Sequence, residues 1–216
     1  MDPQKLLDHQ SSYDRIAQDY AARIYDELNR KPLDRKLLDD FASRVKGGGP
    51  VCDLGCGPGH VARYLHDLGV NAFGIDLSPG MLEEARRLNP GIHFQEGNML
   101  SLDVSDSSWA AVVAFYSIVN IPKADIPQAF SEINRVLKPG GLFFVAFHLG
   151  TEILREEELW GHKISLDFVF FLRKEVELYL TNAGFAVKDS LERDPYAAEV
   201  EYQSRRAYVL CQKPRS

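Results

Sequence analysis

The chain has 216 residues, enough for one domain with a full hydrophobic core and a short extra element. Its residues are 45% hydrophobic and 26% charged, the balance of an ordinary soluble globular protein. The formal net charge is −6 and no Lys/Arg run exceeds Arg205-Arg206, so the basic face that a nucleic-acid partner needs to displace counterions is missing.

Residues 3–46 read as helical. Tyr13, Ile16, Ala17, Tyr20 and Ile24 share one helical face, while Asp14, Arg15, Gln18 and Asp19 occupy the other. Pro32 suits the first turn of a second helix carrying Leu33, Leu37, Leu38, Phe41 and Val45, and Gly47-Gly48-Gly49-Pro50 ends it as a hinge. From residue 50, short apolar runs alternate with helical patterns. The runs are Val51–Leu54, Ala72–Ile75, Ile92–Gln95, Ala110–Phe115 and Gly141–Phe147; the helices are Gly59–Leu68, Pro79–Leu88 and Asp125–Leu137. Near-continuous apolar strands between helices imply a parallel sheet covered on both faces, an α/β fold. Lys138-Pro139-Gly140-Gly141 reads as a hard stop and turn before the fifth strand.

The last quarter reads differently. A helix over 173–183 stops at Gly184, and the strands Phe185–Ser190 and Arg206–Cys211 follow with no helical crossover, so as neighbours they pair antiparallel. Residues 148–172 fit neither pattern and carry Trp160, His162, Phe168, Phe170 and Phe171. An insertion there, at the C-terminal end of a strand, is expected to be a lid. Glu156-Glu157-Glu158 reads as a solvated helix face. The whole is expected to be one domain: a helical cap (1–47), a cofactor-binding core (50–147), the lid (148–172) and a closing helix with antiparallel strands (173–212).

Cys52, Cys56 and Cys211 lack metal-ligand spacing and read as free thiols of a reducing compartment. The start of the chain holds no apolar leader, and the longest apolar stretch, Trp109 to Ile118, falls short of a membrane span. A cytoplasmic protein without a membrane partner, monomeric or homodimeric, is expected.

The segment Asp53-Leu54-Gly55-Cys56-Gly57-Pro58-Gly59-His60 runs from a strand through three alternating glycines into a helix. A dinucleotide fingerprint needs G-x-G-x-x-G, with a pyrophosphate on the helix N-terminus. Here the sixth position is His60, and the Asp53 carboxylate would repel a pyrophosphate but suits an ammonium group. Asp76 follows Asp53 by 23 positions (76 − 53) at the end of the next strand, where a carboxylate accepts hydrogen bonds from both hydroxyls of a ribose. A nucleoside with an amino-acid tail and no phosphate fits both: S-adenosylmethionine.

These motifs resemble those of the class I S-adenosylmethionine-dependent methyltransferases, in particular the small single-domain group often labelled type 11. Asp53–Gly59 matches the first motif, Gly74-Ile75-Asp76-Leu77-Ser78-Pro79-Gly80-Met81 the second, Gln95-Glu96-Gly97-Asn98-Met99 the third, and Arg135–Gly141 the turn before the fifth strand. Many members carry Asp where this chain has Asn98. The resemblance implies a Rossmann-like, doubly wound sheet of seven strands in the order 3-2-1-4-5-7-6, strand 7 antiparallel. It implies that Asp53, Gly55, Cys56, Gly57 and Gly59 hold the methionine moiety and Asp76 the ribose. Leu77 or Met81 would flank the adenine, Gly97, Asn98 and Met99 would meet its edge, and Phe115 would supply backbone contacts. Tyr13 and Tyr20 resemble tyrosines that close over the cofactor, or are core aromatics of an amphipathic helix.

The reaction expected is metal-independent methyl transfer to a small-molecule O, N or S nucleophile, leaving S-adenosylhomocysteine. His148, ending the fifth strand, and His162 are the candidate bases. Asn120, Trp160, Phe168 and Phe170 are the candidate substrate-pocket residues. The alternatives are methylation of a protein or RNA, or a non-catalytic S-adenosylmethionine-binding protein.

Overall fold

The computed structural model describes residues 2–215. Helix α1 (Pro3–Ile24) starts where Asp2 accepts the backbone N–H groups of Gln4 and Lys5, with Pro3 at the first helical position. A 3₁₀ turn (Glu27–Arg30) leads to α2 (Pro32–Val45). The core then alternates β1 (Val51–Leu54), α3 (His60–Asp67), β2 (Ala72–Asp76), α4 (Pro79–Leu88), β3 (Phe94–Glu96), β4 (Trp109–Phe115), α5 (Ile126–Val136) and β5 (Leu137–His148). After β6 (Ile153–Leu159) and β7 (His162–Val169) come α6 (Arg173–Asn182), β8 (Ala186–Arg193) and β9 (Arg206–Gln212).

Seven strands form one sheet in the order β3-β2-β1-β4-β5-β9-β8, with β9 antiparallel to both neighbours. With the β6–β7 hairpin set aside, this is the order 3-2-1-4-5-7-6 expected of the fold class. Period-two alternation sorts the strand residues between two apolar layers. Cys52, Leu54, Val112, Ala114, Phe143 and Val145 pack with Phe130 and Ile133 of α5 and Val176 and Leu180 of α6. Val51, Ala111, Val113, Phe115 and Phe144 face the other way, onto Leu38, Phe41 and Val45 of α2 and Val61 and Leu65 of α3.

Two segments differ from expectation. Strand β5 starts at Leu137, and Lys138-Pro139-Gly140-Gly141 is a bulge inside it: Trp109 and Ala111 of β4 pair with Leu137 and Leu142. The 148–172 insertion is largely a β-hairpin, and Glu156-Glu157-Glu158 lie on exposed strand β6, not on a helix. Leu159 and His162 pair across a two-residue turn, Trp160-Gly161, in which both φ angles are positive (53° and 84°). Such a turn favours Asn-Gly, and Trp in its first position hides the signal. The hairpin lies on α1, where Ile164 and Leu166 pack with Ile16, Ala17 and Met81. No helix among the described residues is long and apolar enough to cross a membrane.

Candidate functional site

Where β1 gives way to α3 the chain must turn tightly against the end of β4. Gly55 has φ +74°, and a Cβ there would lie on top of Ser117 Cβ. Ser117 in turn donates from Oγ to Leu54 O at 2.7 Å, locking the β1 and β4 ends together. Gly57 donates its N–H to Asp76 Oδ2 at 2.7 Å, and Ser78 N–H donates to Asp76 Oδ1 at 2.9 Å. Each carboxylate oxygen keeps a second lone pair for a ligand hydroxyl. Burial pushes the Asp76 pKa up, opposed by these backbone donors.

The loop is one wall of a cavity of about 850 Å³, open mouth included, at the C-terminal ends of β1, β2 and β4. That is the crevice where α/β sheets place ligands. Of the residues singled out in the sequence, Tyr13, Tyr20, Gly55, Cys56, Gly57, Asp76, Leu77, Met81, Gly97, Asn98, Met99, Phe115 and Asn120 line it. Helix α1 roofs the cavity. Its Tyr13 hydroxyl accepts from Asn120 Nδ2 at 2.8 Å, and the Tyr13 and Tyr20 rings meet edge-on at 6.0 Å. Burial raises the pKa of both phenols, so they stay neutral.

The other residues lie elsewhere. Asp53 is beneath the loop, 2% exposed, with Oδ2 accepting from Ala62 N–H at 2.9 Å inside the first turn of α3. Burial raises its pKa to about 7, moderated by His60 and that hydrogen bond. Gly59, with φ +81°, is the N-cap of α3, where a Cβ would come within 2.7 Å of Phe94 Cζ. Both shape the loop from behind.

His148 is also off the cavity wall. It stacks on Phe170 at 5.2 Å, tilts against Tyr116 at 5.5 Å, and shares a 2.8 Å hydrogen bond between Nδ1 and Ser204 Oγ. Burial and the Arg206 cation lower its pKa to about 3. The Tyr116 ring stands against it, in a residue held at φ +56° and bonded through its hydroxyl to Asp34 and Tyr208. His162 and Trp160 sit at the hairpin tip. His162 Nε2 pairs with Asp19 Oδ2 at 2.8 Å, and Trp160 lies under the Arg23 guanidinium at 4.9 Å and beside Tyr20. Phe168 packs into the α1–hairpin layer. All three fasten the hairpin to α1.

The cavity also exposes residues that the motifs did not mark, chiefly His9, His60, Tyr116 and Ser117. His9 had a signal: it precedes Tyr13 by four positions and Tyr20 by eleven, so all three share a helical face. No Lys or Arg lines the cavity among the described residues. Asp76 is the one carboxylate on its wall among the described residues. A cationic sulfonium with an ammonium-bearing tail suits this field, and a pyrophosphate does not.

The fold, the glycine loop and the ribose-ready carboxylate are features of class I S-adenosylmethionine-dependent methyltransferase domains, which this part of the chain resembles. Comparison with known proteins agrees: residues 51–141 match the family model described as a methyltransferase domain. A sterol 24-C-methyltransferase of Gibberella zeae is 33% identical over 131 residues, 57% of this chain and 34% of that protein. A malonyl-[acyl-carrier protein] O-methyltransferase of Pectobacterium atrosepticum is 33% identical over 144 residues, 65% of this chain and 54% of that one. The chain thus spans about half or less of the length of these curated relatives. Among solved structures, one described as a DhpI–SAH complex shares the fold over 100% of both chains, with a TM-score of 0.73 and 19% identity.

Proposed function

We propose that the protein transfers the methyl group of S-adenosylmethionine to a small-molecule O, N or S nucleophile bound in the same cavity, without a metal ion. The observation that carries this reading is the cavity itself: one space, with apolar and polar walls, from the glycine loop to the underside of α1. When bound, S-adenosylmethionine supplies an electrophilic methyl carbon and a neutral thioether leaving group. The protein's task is then to orient a nucleophile in line and to exclude water. In this reading Asp76 holds the ribose hydroxyls, while Leu77 and Met81 face the adenine and Asn98 and Met99 meet its edge. Gly55, Gly57 and Tyr20 surround the methionine part.

A covered cavity favours an acceptor that enters whole, or through a narrow end, over a folded protein or RNA surface. The relatives named for a sterol and for malonyl-acyl-carrier protein are consistent with that. Calorimetry tests the cofactor half: S-adenosylhomocysteine should bind at micromolar level or better, about −8 kcal/mol, and NADH should not bind. Transfer of labelled methyl groups from S-adenosylmethionine to fractionated small molecules tests the other half. Label found only in protein or RNA would refute the small-molecule reading.

A further inference from the structure

The cavity wall holds several polar atoms that lack a well-formed hydrogen bond to the protein. They are both ring nitrogens of His9, Oδ1 of Asn120 and Nδ1 of His60, all shielded, with Asn120 near enough to His9 to favour the protonated ring weakly. Leaving shielded polar groups unpaired is costly, so such a concentration marks a place built for a ligand. His9 and Asn120 stand together on the α1 side of the cavity, around Tyr13. The His9 ring meets the Tyr13 ring edge-on at 5.0 Å, and Asn120 Nδ2 donates to the Tyr13 hydroxyl. With its oxygen already accepting that bond, the Tyr13 O–H proton is free to be donated outward.

We propose that His9 is the proton acceptor of the methyl transfer, and that Tyr13 and Asn120 hold a neutral hydroxyl of a flat, apolar acceptor against it. This inference rests on the small-molecule reading above. A hydroxyl both donates and accepts, and here a donor (Tyr13) and an acceptor (the His9 lone pair) flank one spot. Burial lowers the His9 pKa to about 4, so the imidazole is neutral at physiological pH and keeps its lone pair beside a cationic cofactor. Leu6, Leu100 and Ile121 give the same cavity an apolar lining.

An anionic acceptor would find no cationic side chain of the protein on the cavity wall among the described residues. The buried cations nearby, Lys31, Arg193 and Arg206, lie behind the wall and are already matched. Lys31 pairs with Glu27 at 2.7 Å, Arg193 with Asp34 at 3.1 Å and with Glu201, and Arg206 with Glu201 at 3.6 Å. In the transfer, a lone pair of the acceptor oxygen forms the bond to the methyl carbon and the carbon–sulfur bonding pair stays on sulfur. The hydroxyl proton, made strongly acidic as the new bond forms, passes to a His9 nitrogen and from there to water.

The test uses 2-naphthol, a flat apolar body with one hydroxyl, against 2-naphthoate, the same body with a carboxylate. In protein with ¹⁵N-labelled histidine saturated with S-adenosylhomocysteine, 2-naphthol should shift one His9 ring nitrogen toward its hydrogen-bonded position. It should also be methylated from S-adenosylmethionine, and 2-naphthoate should do neither. His9→Ala should lower kcat by ~10²–10⁴-fold with S-adenosylhomocysteine affinity within about threefold of the parent. His9→Gln, which keeps the bulk and an acceptor oxygen but not the basicity, should lose kcat while retaining KM.

Three results overturn the proposal. One is a His9 signal that 2-naphthol leaves unmoved. Another is methylation of 2-naphthoate in preference to 2-naphthol. The third is a His9 signal that shifts on S-adenosylhomocysteine alone, together with a tenfold or larger loss of its affinity in His9→Gln, which would assign the residue to the nucleoside. Failure of S-adenosylhomocysteine to bind the parent protein is a separate result and refutes the cofactor reading beneath it.

Discussion

Replacing Asp53 by Asn should make the protein more stable, by an amount that grows with pH. Asp53 is enclosed under the glycine loop, and burial lifts its carboxyl from 3.8 to about 7. Between those two values the folded chain holds a proton that the unfolded chain has released. Stability from this group is therefore full below the unfolded pKa and is lost as pH rises through about 7. At ~1.4 kcal/mol per pKa unit, the whole difference is on the order of 4 kcal/mol, of which about 3 falls between pH 5 and pH 8. Asn keeps an oxygen for the Ala62 N–H and never ionises. Urea unfolding of both proteins at pH 5, 6, 7 and 8 should show a gap in favour of Asp53→Asn that widens by roughly 3 kcal/mol over the series. Comparing the two proteins cancels the contribution of every titrating group that does not interact with Asp53. Parallel stability curves, or a gap widening toward acid, would refute the reasoning.

Four further outcomes are expected. Asp76→Ala should weaken S-adenosylhomocysteine binding by about tenfold or more, since hydrogen bonds to a charged group contribute ~1.5–3 kcal/mol each; calorimetry reads it, and unchanged affinity would remove Asp76 from the site. Gly59→Ala forces a side chain into φ +81° and against Phe94, so thermal unfolding should show a loss of at least ~1–3 kcal/mol. His148 is buried neutral with a pKa lowered to about 3, so its stabilisation is present above about pH 6.5 and is lost as pH falls; His148→Gln should flatten the acid limb of the stability profile. The hairpin over 153–169 is expected to move with α1 as a lid: S-adenosylhomocysteine should slow amide exchange in both, and Ile16→Ala, which empties the centre of their shared layer, should cost ~2–5 kcal/mol and abolish that coupling.

Much of the molecule was legible in the chain itself, because local chemistry determines element type. The apolar runs and helical stripes located all seven strands of the sheet and every α-helix to within a few residues. The alternating glycines between Asp53 and His60 marked the cofactor turn, since its geometry tolerates no Cβ at Gly55. Patterns weakened by charge or by an unusual turn residue were not legible. Glu156–Glu158 and Trp160 concealed a hairpin that pairs through its backbone, indifferent to what its exposed side chains are. Tertiary structure alone decided which polar groups share the cavity. Strand position sent His148 to the crevice edge, but the ring of Tyr116 stands against it and Ser204, brought in by the antiparallel β9 connection, occupies its Nδ1. Helix α1, laid over the cavity, instead carried His9 and Tyr13 to Asn120, the last two 107 positions apart in the chain. Side-chain periodicity names the buried face of a helix; only packing says what that face meets.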